Sequence, residues 1–489
     1  MSLLLDLAAG LYLIAALLIA LSAASYGLLL LLYLLSRRRH PSPPPVTDAD
    51  LLSVTVQLPV YNEADVVARL IDACATLDYP PEKLCIQILD DSSDHTTHLI
   101  EQRVAYWKSQ PGPEFCHIRR AQRDGYKAGA LAYGLVLTHT DCVAVFDADF
   151  VPAPDFLRRT MPYFSATPRL ALVQTRWQHL NPAYNLLTRA QALSIDGHFV
   201  IEQTARNRWQ LPMSMNGTGG VWRTSAITDA GGWRADTLTE DLDLSYRALM
   251  RGWEFLYLVD VAVPGELPPQ VQAYKMQQAR WATGSTECLI RHIRPLIASR
   301  RFSLLGKLMG VMHLAQYAVQ PLILLLFLLT PPLLWGGGFA HLPDLRLLTV
   351  IGLVPLLVVA LAQHELYSDW PRRLLYFPVQ VMTAIAIVLS NSRAVMRALI
   401  RPGQPRRFER TPKYRVTRQG QDWTLSPYRL RPDASIIAEL LLAAYALFGL
   451  ALALDRLPAF APYMLSYALS FGFFALWNLR QGWQARRDT

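Results

Sequence analysis

The feature that most constrains this chain is a long run without charge near its start, from Leu7 to Leu35. A bilayer crossing needs about 20 apolar residues, so this run is long enough to cross with some tilt. Arg37-Arg38-Arg39-His40 follows at once, and clustered positive charge marks the cytoplasmic side of a membrane. Residues 1–45 are therefore predicted to hold a first span and a linker, with the chain that follows in the cytosol.

More apolar runs occupy the last third of the chain, which explains why only 17% of its residues are charged. A soluble domain is nearer a quarter charged. The runs are Leu308–Trp335, Leu347–Leu361, Leu374–Leu389, Ile436–Leu454 and Tyr463–Trp477.

The arginine-rich stretch from Arg401 to Arg431 is expected in the cytosol, so an even number of crossings must precede it. We therefore predict two spans and one amphipathic interface helix, 374–399, within residues 301–400. Residues 401–432 then form a cytosolic loop, and residues 433–489 add two spans. The total is about five spans.

The formal net charge of +9 comes from basic clusters that flank apolar runs. This arrangement favours a lipid bilayer as partner and excludes nucleic acid. The expected location is a bacterial inner or plasma membrane. Five cysteines without a CxxC pair predict neither a disulfide framework nor a cysteine metal site.

Residues 46–300 have the pattern of an α/β domain inserted between transmembrane helices. Val54–Val60, Leu84–Leu89 and Cys142–Phe146 read as buried strands, and Glu63–Leu77 has helical spacing. Strands that alternate with helices predict a mostly parallel, Rossmann-like sheet. In such sheets ligands bind at the carboxyl ends of the strands.

Acidic residues follow three of these strands. The carboxylates of Asp147 and Asp149 can both reach one Mg²⁺ or Mn²⁺, a cation usually shared with substrate phosphates. Asp91 follows the second strand, and Tyr61 and Glu63 follow the first, at places that can hold a base and a ribose. A solvated loop or a helix cap explains each residue equally well when it is taken alone.

Two helical motifs complete the candidate site. Thr239-Glu240-Asp241 begins a helix that Gly252 ends, and Asp241 is the candidate base for a sugar hydroxyl. A capping acid is the alternative, and it would fit Glu240 equally. Gln277, Arg280 and Trp281 share one helix face, where arginine suits a diphosphate and tryptophan a sugar ring. An interfacial helix is the alternative for this motif.

The order of these motifs resembles glycosyltransferase family 2, in its processive, cellulose synthase-like group. The pattern D, DxD, TED and QxxRW covers roughly residues 50–300. The blocks at 173–177, 196–199, 216–218 and 266–268 most resemble plant mannan and glucan synthase-like proteins. The resemblance implies a GT-A fold, a nucleotide-sugar donor (UDP-glucose or GDP-mannose) and a growing polysaccharide as acceptor.

The resemblance also implies roles for the matched residues. The donor would be held by Tyr61, Glu63, Asp91, Lys127, Asp147, Gln277 and Arg280, and the metal by Asp147 and Asp149. The acceptor would be held by Trp281, Asn216, Gly217 and Thr218. Asp241 would be the base, with Glu240 beside it. Phe408, Thr411 and Lys413 resemble the family's gating loop, F-x-V-T-x-K, in which Arg410 here replaces the valine.

Three functions are compatible with the sequence. The first is an inverting synthase that polymerises a β-linked glucan or (gluco)mannan and extrudes it through its own spans. The second is transfer of one sugar to a membrane lipid, as in ceramide glucosyltransferase, which shares much of the motif set. The third is a channel or transporter, which predicts charged residues within spans, where Glu439 is the acid that the sequence offers.

Overall fold

Seven strands form one mixed sheet in the domain that follows the first apolar helix. The computed structural model describes residues 2–39, 41–404, 406, 408–417 and 421–487, so His40 of the basic cluster lies outside it. The strands are β1 Val54–Val60, β2 Leu84–Asp90, β3 Glu114–Arg119, β4 Cys142–Val145, β5 Leu170–His179, β6 Gly220–Arg223 and β7 Glu254–Gly265.

The spatial order of the strands is β3-β2-β1-β4-β6-β5-β7. β6 runs antiparallel to both of its neighbours, while the other described strand pairs are parallel. The predicted mostly parallel sheet is therefore confirmed. All seven residues of β1 are buried, as expected for a strand with both faces covered.

The parallel register brings the carboxyl ends of β1, β2 and β4 together. Val60 lies opposite Asp90, and Gln57 lies opposite Val145. The residues after these strands therefore emerge at one edge of the sheet, which is the edge where the sequence places its acidic residues.

Helices cover both faces of the sheet, after the long N-terminal helix α1. Their bounds are α1 Ser2–Ser36, α2 Val67–Ala75, α3 Thr96–Lys108, α4 Tyr126–Val136, α5 Phe156–Thr160, α6 Pro162–Ala166, α7 Leu186–Gly197, α8 Thr204–Arg208, α9 Thr224–Asp229, α10 Glu240–Met250 and α11 Val271–Ala298. A π-helix, His198–Gln203, joins α7 to α8.

The helix predicted over 63–77 begins later and ends earlier than expected. Asn62 takes a left-handed φ of 53°, and a turn on the Glu63 carbonyl precedes α2. This turn holds Glu63 at the strand end and keeps it out of the helix. α10 agrees with its prediction, since it begins at Glu240 and is followed by Gly252 at a φ of 85°.

The rest of the described chain contains nine α-helices, with short 3-10 turns and loops between them: α12 Leu304–Leu314, α13 Val319–Gly336, α14 Arg346–Ile351, α15 Val354–Leu366, α16 Trp370–Arg373, α17 Phe377–Ala386, α18 Val388–Ile400, α19 Ser435–Arg456 and α20 Ala461–Arg487. By length and composition, the described residues contain five segments able to span a membrane: Leu3–Ser36, Val319–Gly336, Trp370–Ile400, Ser435–Arg456 and Pro458–Ala485.

The number of candidate spans, five, agrees with the prediction, but the segments that form them differ. The predicted span 347–361 is divided near Gly352 into α14 and α15, and neither helix alone is long enough to count. The predicted interface helix, 374–399, lies within Trp370–Ile400, which does reach the necessary length. The run predicted from Leu308 to Trp335 is also divided, into α12 and α13.

Contacts place α14 and α15 beside α1 in the opposite direction. His341, just before α14, lies 3.6 Å from Asp6 near the start of α1. Glu365, at the end of α15, lies 3.8 Å from Arg37 just beyond the end of α1. The two short helices together therefore return the chain along the full length of α1.

Residues within the stretch 370–400, and just beyond it, contact the sheet domain. Gln380 of α17 donates a hydrogen bond to Ser194 of α7 at 2.8 Å. Arg406, six residues beyond α18, donates to the Arg401 carbonyl at 3.2 Å and forms an ion pair with Glu287 of α11 at 2.7 Å. The domain is thus held against the helical part at several separate points.

Trp222 is central to the core on one face of the sheet, and its removal is expected to destabilise the domain. Its side chain is fully buried, 5.4 Å from the Phe255 ring and 6.3 Å from the Trp233 ring. Trp222→Ala is expected to lower the free energy of unfolding by about 3–5 kcal/mol through the cavity it creates. Thermal unfolding of purified protein measures this change, with the exposed Val136→Ala as control; equal melting temperatures for both variants would contradict the assignment.

Candidate active site

The carboxyl edge of the sheet forms one wall of a cavity of about 680 Å³. Predicted site residues on its lining are Tyr61, Glu63, Asp91, Lys127, Asp147, Asp149, Asn216, Gly217, Glu240, Asp241, Gln277, Arg280, Trp281, Phe408, Thr411 and Lys413. Thr218 differs: it is buried behind the wall, where its Oγ1 accepts a hydrogen bond from the Asp147 amide at 3.0 Å. Segments that are far apart in sequence therefore meet in one place, while their individual roles stay predictions.

Each carboxylate of the Asp147–Asp149 pair already faces a lysine. Lys127 Nζ lies 2.6 Å from Asp147 Oδ1, and Lys413 Nζ lies 2.7 Å from Asp149 Oδ2. Burial disfavours the Lys127 ammonium, but Asp147 and Glu240 outweigh burial and raise the pKa of Lys127 above its ordinary value. The edge of the sheet is therefore an environment that favours cations.

A divalent cation would need ligands from a bound molecule. Among the residues that the structure describes, no group of three or more His, Cys, Asp or Glu side chains is arranged to hold a metal ion. Asp147 and Asp149 offer two carboxylates on one wall, which fits an Mg²⁺ or Mn²⁺ that takes its other oxygens from phosphate and water. Lys413 pairs with the same Asp149 carboxylate that such a cation would use.

Asp241 faces the cavity from the first turn of α10. Burial and the neighbouring Glu240 raise the pKa of Asp241 and Lys127 opposes both, so that the pKa is about 7. A carboxylate that titrates near neutral pH is suited to accept a proton from a hydroxyl group. Gly217, at a φ of 80°, lies beside it, and a Cβ there would stand 3.5 Å from Asp241 Oδ2.

Arg280 and Trp281 enter the cavity from α11. The buried Nε of Arg280 has no hydrogen-bond partner within the described part of the chain, and its guanidinium lies 4.8 Å from the Phe408 ring. Buried donors are normally paired, so an unpaired arginine nitrogen in a cavity indicates a place for an anionic ligand. Trp281 lies 6.4 Å from Trp177, and the two rings form an aromatic wall.

The segment 408–417, here called the strap, crosses the cavity at the sheet edge. Besides the Lys413 pair, Arg410 lies 3.5 Å from Glu63, and the Tyr414 amide donates to Glu266 at 2.9 Å. Burial raises the pKa of Glu63 to about 7, and Arg410 opposes this shift. The arginine that replaces the valine of the family motif therefore has an ionic partner in the site.

The cavity also contains residues that the sequence motifs did not assign. Arg123 stacks 3.3 Å from the Tyr61 ring centroid, next to Asp91 on the lining. His198 and Glu202, whose side chains are 3.5 Å apart, reach the lining from the π-helix. No regular period marks a π-helix in a sequence, so this pair could be found only from the structure.

Four membrane-side helices complete the lining. Tyr26 of α1, Gln320 of α13, Val358 of α15 and Gln380 of α17 belong to the same cavity as Asp241 and Trp281. The cavity is therefore continuous from the edge of the sheet to the helices that carry the candidate spans.

Comparison with known proteins agrees with these features. Residues 52–284 match the family described as glycosyltransferase like family 2. A probable glucomannan 4-beta-mannosyltransferase 2 from Oryza sativa subsp. japonica is 41% identical over 290 residues, which cover 58% of this chain and 50% of that protein. Glucomannan 4-beta-mannosyltransferase 2 from Arabidopsis thaliana is 42% identical over 252 residues, covering 51% and 47%.

The chain spans about half the length of the curated relatives it matches. Among solved structures, a mannosyltransferase from Pyrobaculum calidifontis, in complex with GDP-Man and Mn²⁺, has a TM-score of 0.51 at 21% identity. That similarity covers 79% of this chain and 99% of the other. It supports the predicted GT-A fold.

Removal of the Lys413 ammonium is expected to strengthen the binding of a divalent cation. Lys413→Met takes away the cation that competes for Asp149, so we expect the Kd for Mn²⁺ without nucleotide to fall about tenfold, or about 1.4 kcal/mol. Electron paramagnetic resonance of free Mn²⁺ measures this Kd directly. Lys108→Met, on the exposed surface, is the control; an unchanged or weaker affinity in Lys413→Met would contradict the competition.

Proposed function

We propose that the chain polymerises a β-linked mannan or glucomannan, since residues 52–284 match glycosyltransferase like family 2 and carry the motif order of its cellulose synthase-like group. The single observation that carries the proposal is the shared cavity, which joins Asp147, Asp149, Asp241, Arg280 and Trp281 to the membrane helices. The curated relatives are named as glucomannan 4-beta-mannosyltransferases, which favours GDP-mannose over UDP-glucose as the donor.

We infer an inverting single displacement. The acceptor hydroxyl attacks the anomeric carbon from the face opposite the diphosphate, and the bond from that carbon to the phosphate oxygen breaks as the glycosidic bond forms. Asp241 takes the hydroxyl proton, and Arg280 stabilises the charge that grows on the departing nucleoside diphosphate. A divalent cation held by Asp147 and Asp149 would supply further stabilisation of that charge.

The side chains around Asp91 are suited to bind the nucleoside of the sugar donor. Arg123 and Tyr61 form a stacked pair there, and Asp91 is held by Arg120, whose Nε is 3.0 Å from it. Lys127 lies between Asp147 and Glu240, within reach of a diphosphate that Arg280 would also contact. The nucleoside would thus occupy the β1–β2 side of the cavity, and the transferred sugar would lie toward Asp241.

We propose that the sheet domain faces the cytosol and that 370–400 is an interface helix. The contacts of α14 and α15 along α1 support a crossing formed by these two helices together. The contacts of Gln380, and of Arg406 just beyond this segment, with the sheet domain support a segment that stays on one side. The curated relatives come from plants, so the predicted bacterial membrane gains no support from them.

Polar side chains on the membrane side of the cavity favour a growing polysaccharide as the acceptor. Tyr26, Gln320, Gln380 and Thr383 carry hydroxyl and amide groups into this part of the cavity, beside apolar residues such as Val358. Such groups bind the hydroxyls of a sugar chain, whereas the acyl chains of a lipid acceptor would leave them without hydrogen-bond partners. The same continuity of the cavity supports extrusion of the product between the spans.

Loss of the Asp241 carboxylate is expected to stop transfer without preventing donor binding. Asp241→Asn removes the proton acceptor, so kcat is expected to fall about 10²–10⁴-fold. The Kd for GDP, measured by calorimetry, is expected to stay close to that of the wild type. The exposed Asp155→Asn is the matched control; undiminished turnover by Asp241→Asn would remove Asp241 from the role of base.

The pH dependence of kcat provides a second test of the base. Since the pKa of Asp241 is raised to about 7, the carboxyl is protonated below that pH and cannot accept the hydroxyl proton. We expect kcat to fall as the pH decreases through this region. Because Lys127 lowers this pKa, Lys127→Met is expected to move the profile to higher pH; a kcat that stays constant down to pH about 5 would exclude Asp241.

The nucleotide is identified by ligand-induced stabilisation. We expect GDP with Mn²⁺ to raise the melting temperature more than UDP with Mn²⁺ at equal concentration, since the tighter ligand stabilises the folded state more. A larger shift with UDP would instead indicate a UDP-sugar donor and a glucan product.

A further inference from the structure

We propose that a buried ion pair between Lys275 and Glu439 is a positioning element for the transfer reaction. It fixes the rotation of α11 about its own axis, and through it the places of Arg280 and Trp281 in the cavity. The inference rests on the function proposed above, but it concerns two residues that lie outside the glycosyltransferase motifs.

The pair connects the sheet domain to a candidate membrane span. Lys275 Nζ lies 2.6 Å from both carboxylate oxygens of Glu439, which belongs to α19. The two side chains are 4% and 2% exposed. Ser435, one turn earlier on α19, approaches the same carboxylate at 3.4 Å. The lysine is therefore held by both oxygens in one orientation.

Lys275 lies on the side of α11 away from the reacting groups. It precedes Arg280 and Trp281 by five and six residues, which places them about 140° and about 240° around the helix from it. The middle of the Arg280–Trp281 sector is therefore almost opposite the ion pair. A contact that fixes the helix face with Lys275 therefore also fixes the direction in which the opposite face, with Arg280 and Trp281, points.

Hydrogen bonds around the pair tie the same turns of α11 to the membrane helices. The Val271 amide donates to Gln481 of α20 at 2.9 Å. Gln272 donates to Asp433 at 3.1 Å and accepts from Asn478 of α20 at 3.1 Å. These bonds secure the start of the helix along its axis, and the ion pair adds the one fully buried charged contact among them.

An ion pair in this position is better explained by the orientation that it gives to α11 than by a gain in the stability of the fold. Removing two charges from water is costly, and a well-packed apolar pair of similar volume is often as stable or more so. Apolar side chains can slide past each other, whereas an ammonium bonded to both oxygens of a carboxylate cannot turn without losing a bond. The pair would therefore give α11 a single rotational setting.

The rotation of α11 matters because its Arg280–Trp281 face lies in the same cavity as Asp241, the proposed general base. A rotation of about 20° would move a group about 6 Å from the helix axis by about 2 Å. A displacement of about 1 Å in a catalytic group can cost about 100-fold in rate. Gly284, farther along α11, is packed so closely on Thr239 that a Cβ would stand 2.5 Å from its Cγ2, so rotation would also disturb the segment that leads to Asp241.

The test compares an apolar pair with a reversed pair in the full-length protein in detergent. We expect K275M/E439L to stay folded and to keep its thermal shift with GDP and Mn²⁺. Its kcat is expected to fall about 100-fold, while the donor KM changes less than about threefold, because misplaced groups lose contacts made in the transition state. The reversed pair, K275E/E439K, is expected to recover at least about tenfold of that loss.

Hydroxyl-radical footprinting gives a readout that does not need turnover. The oxidation rate of Trp281 is expected to change at least about twofold in K275M/E439L and to return toward the wild-type rate in the reversed pair, while that of Trp107 stays constant. D155N/R159Q, which removes a half-exposed ion pair elsewhere in the domain, is the matched control and should alter neither rate nor footprint.

Two results would overturn the proposal. One is a folded K275M/E439L with wild-type kcat and wild-type Trp281 oxidation. The other is a loss of rate that disappears when activity is expressed per folded, GDP-binding molecule. A wild-type protein that transfers sugar from neither GDP-mannose nor UDP-glucose would refute the proposed function instead, and the Trp281 footprint would then decide the positioning role alone.

Discussion

The repulsion between carboxylates in one largely buried cavity is the constraint on which the rest of the site depends. Five acidic groups face this space from two strand ends and one helix start: Glu63, Asp147, Asp149, Glu240 and Asp241. Like charges that share one poorly solvated cavity raise the free energy of the folded state unless cations offset them. The offsetting cations come from α4, α11 and the strap: Lys127, Arg280, Arg410 and Lys413.

The balance between acidic and basic side chains in the cavity links its proposed chemistry to the elements that build it. Because the cations lie on separate elements, the cavity is complete only when α4, α11 and the strap are all in place. Burial, together with the neighbouring Glu240, raises the pKa of Asp241, which is what a general base near neutral pH requires. Arg280 keeps an unpaired nitrogen in the same space, so the site as a whole retains capacity for an anionic ligand.

The strand ends and their motifs could be predicted from the sequence because the signals are local. Runs of β-branched and aliphatic residues followed by Asp91 or Asp147 indicate strands whose carboxyl ends carry ligands. The spacing of Gln277, Arg280 and Trp281 likewise fixes one helix face. The convergence of these segments on one cavity followed from a mostly parallel sheet, which the structure confirms.

Other features depend on contacts between distant segments, and no local pattern encodes them. The pairing of Arg410 with Glu63 joins residues 347 positions apart, and the π-helix that presents His198 and Glu202 has no periodic signature. The division of 347–361 into two helices likewise escaped a count based on hydropathy. Thr218 was assigned to the acceptor because the resemblance includes the whole block 216–218, yet its side chain turns inward to the Asp147 amide.

We propose that sugar transfer at Asp241 extends a chain that leaves through the membrane helices. This is tested by the size of the product formed from radiolabelled GDP-mannose by the protein reconstituted in vesicles, with digestion by an endo-β-mannanase. We expect a β-linked polymer of many sugar units that the mannanase degrades. A product that is extracted into organic solvent and carries one sugar per lipid would contradict it.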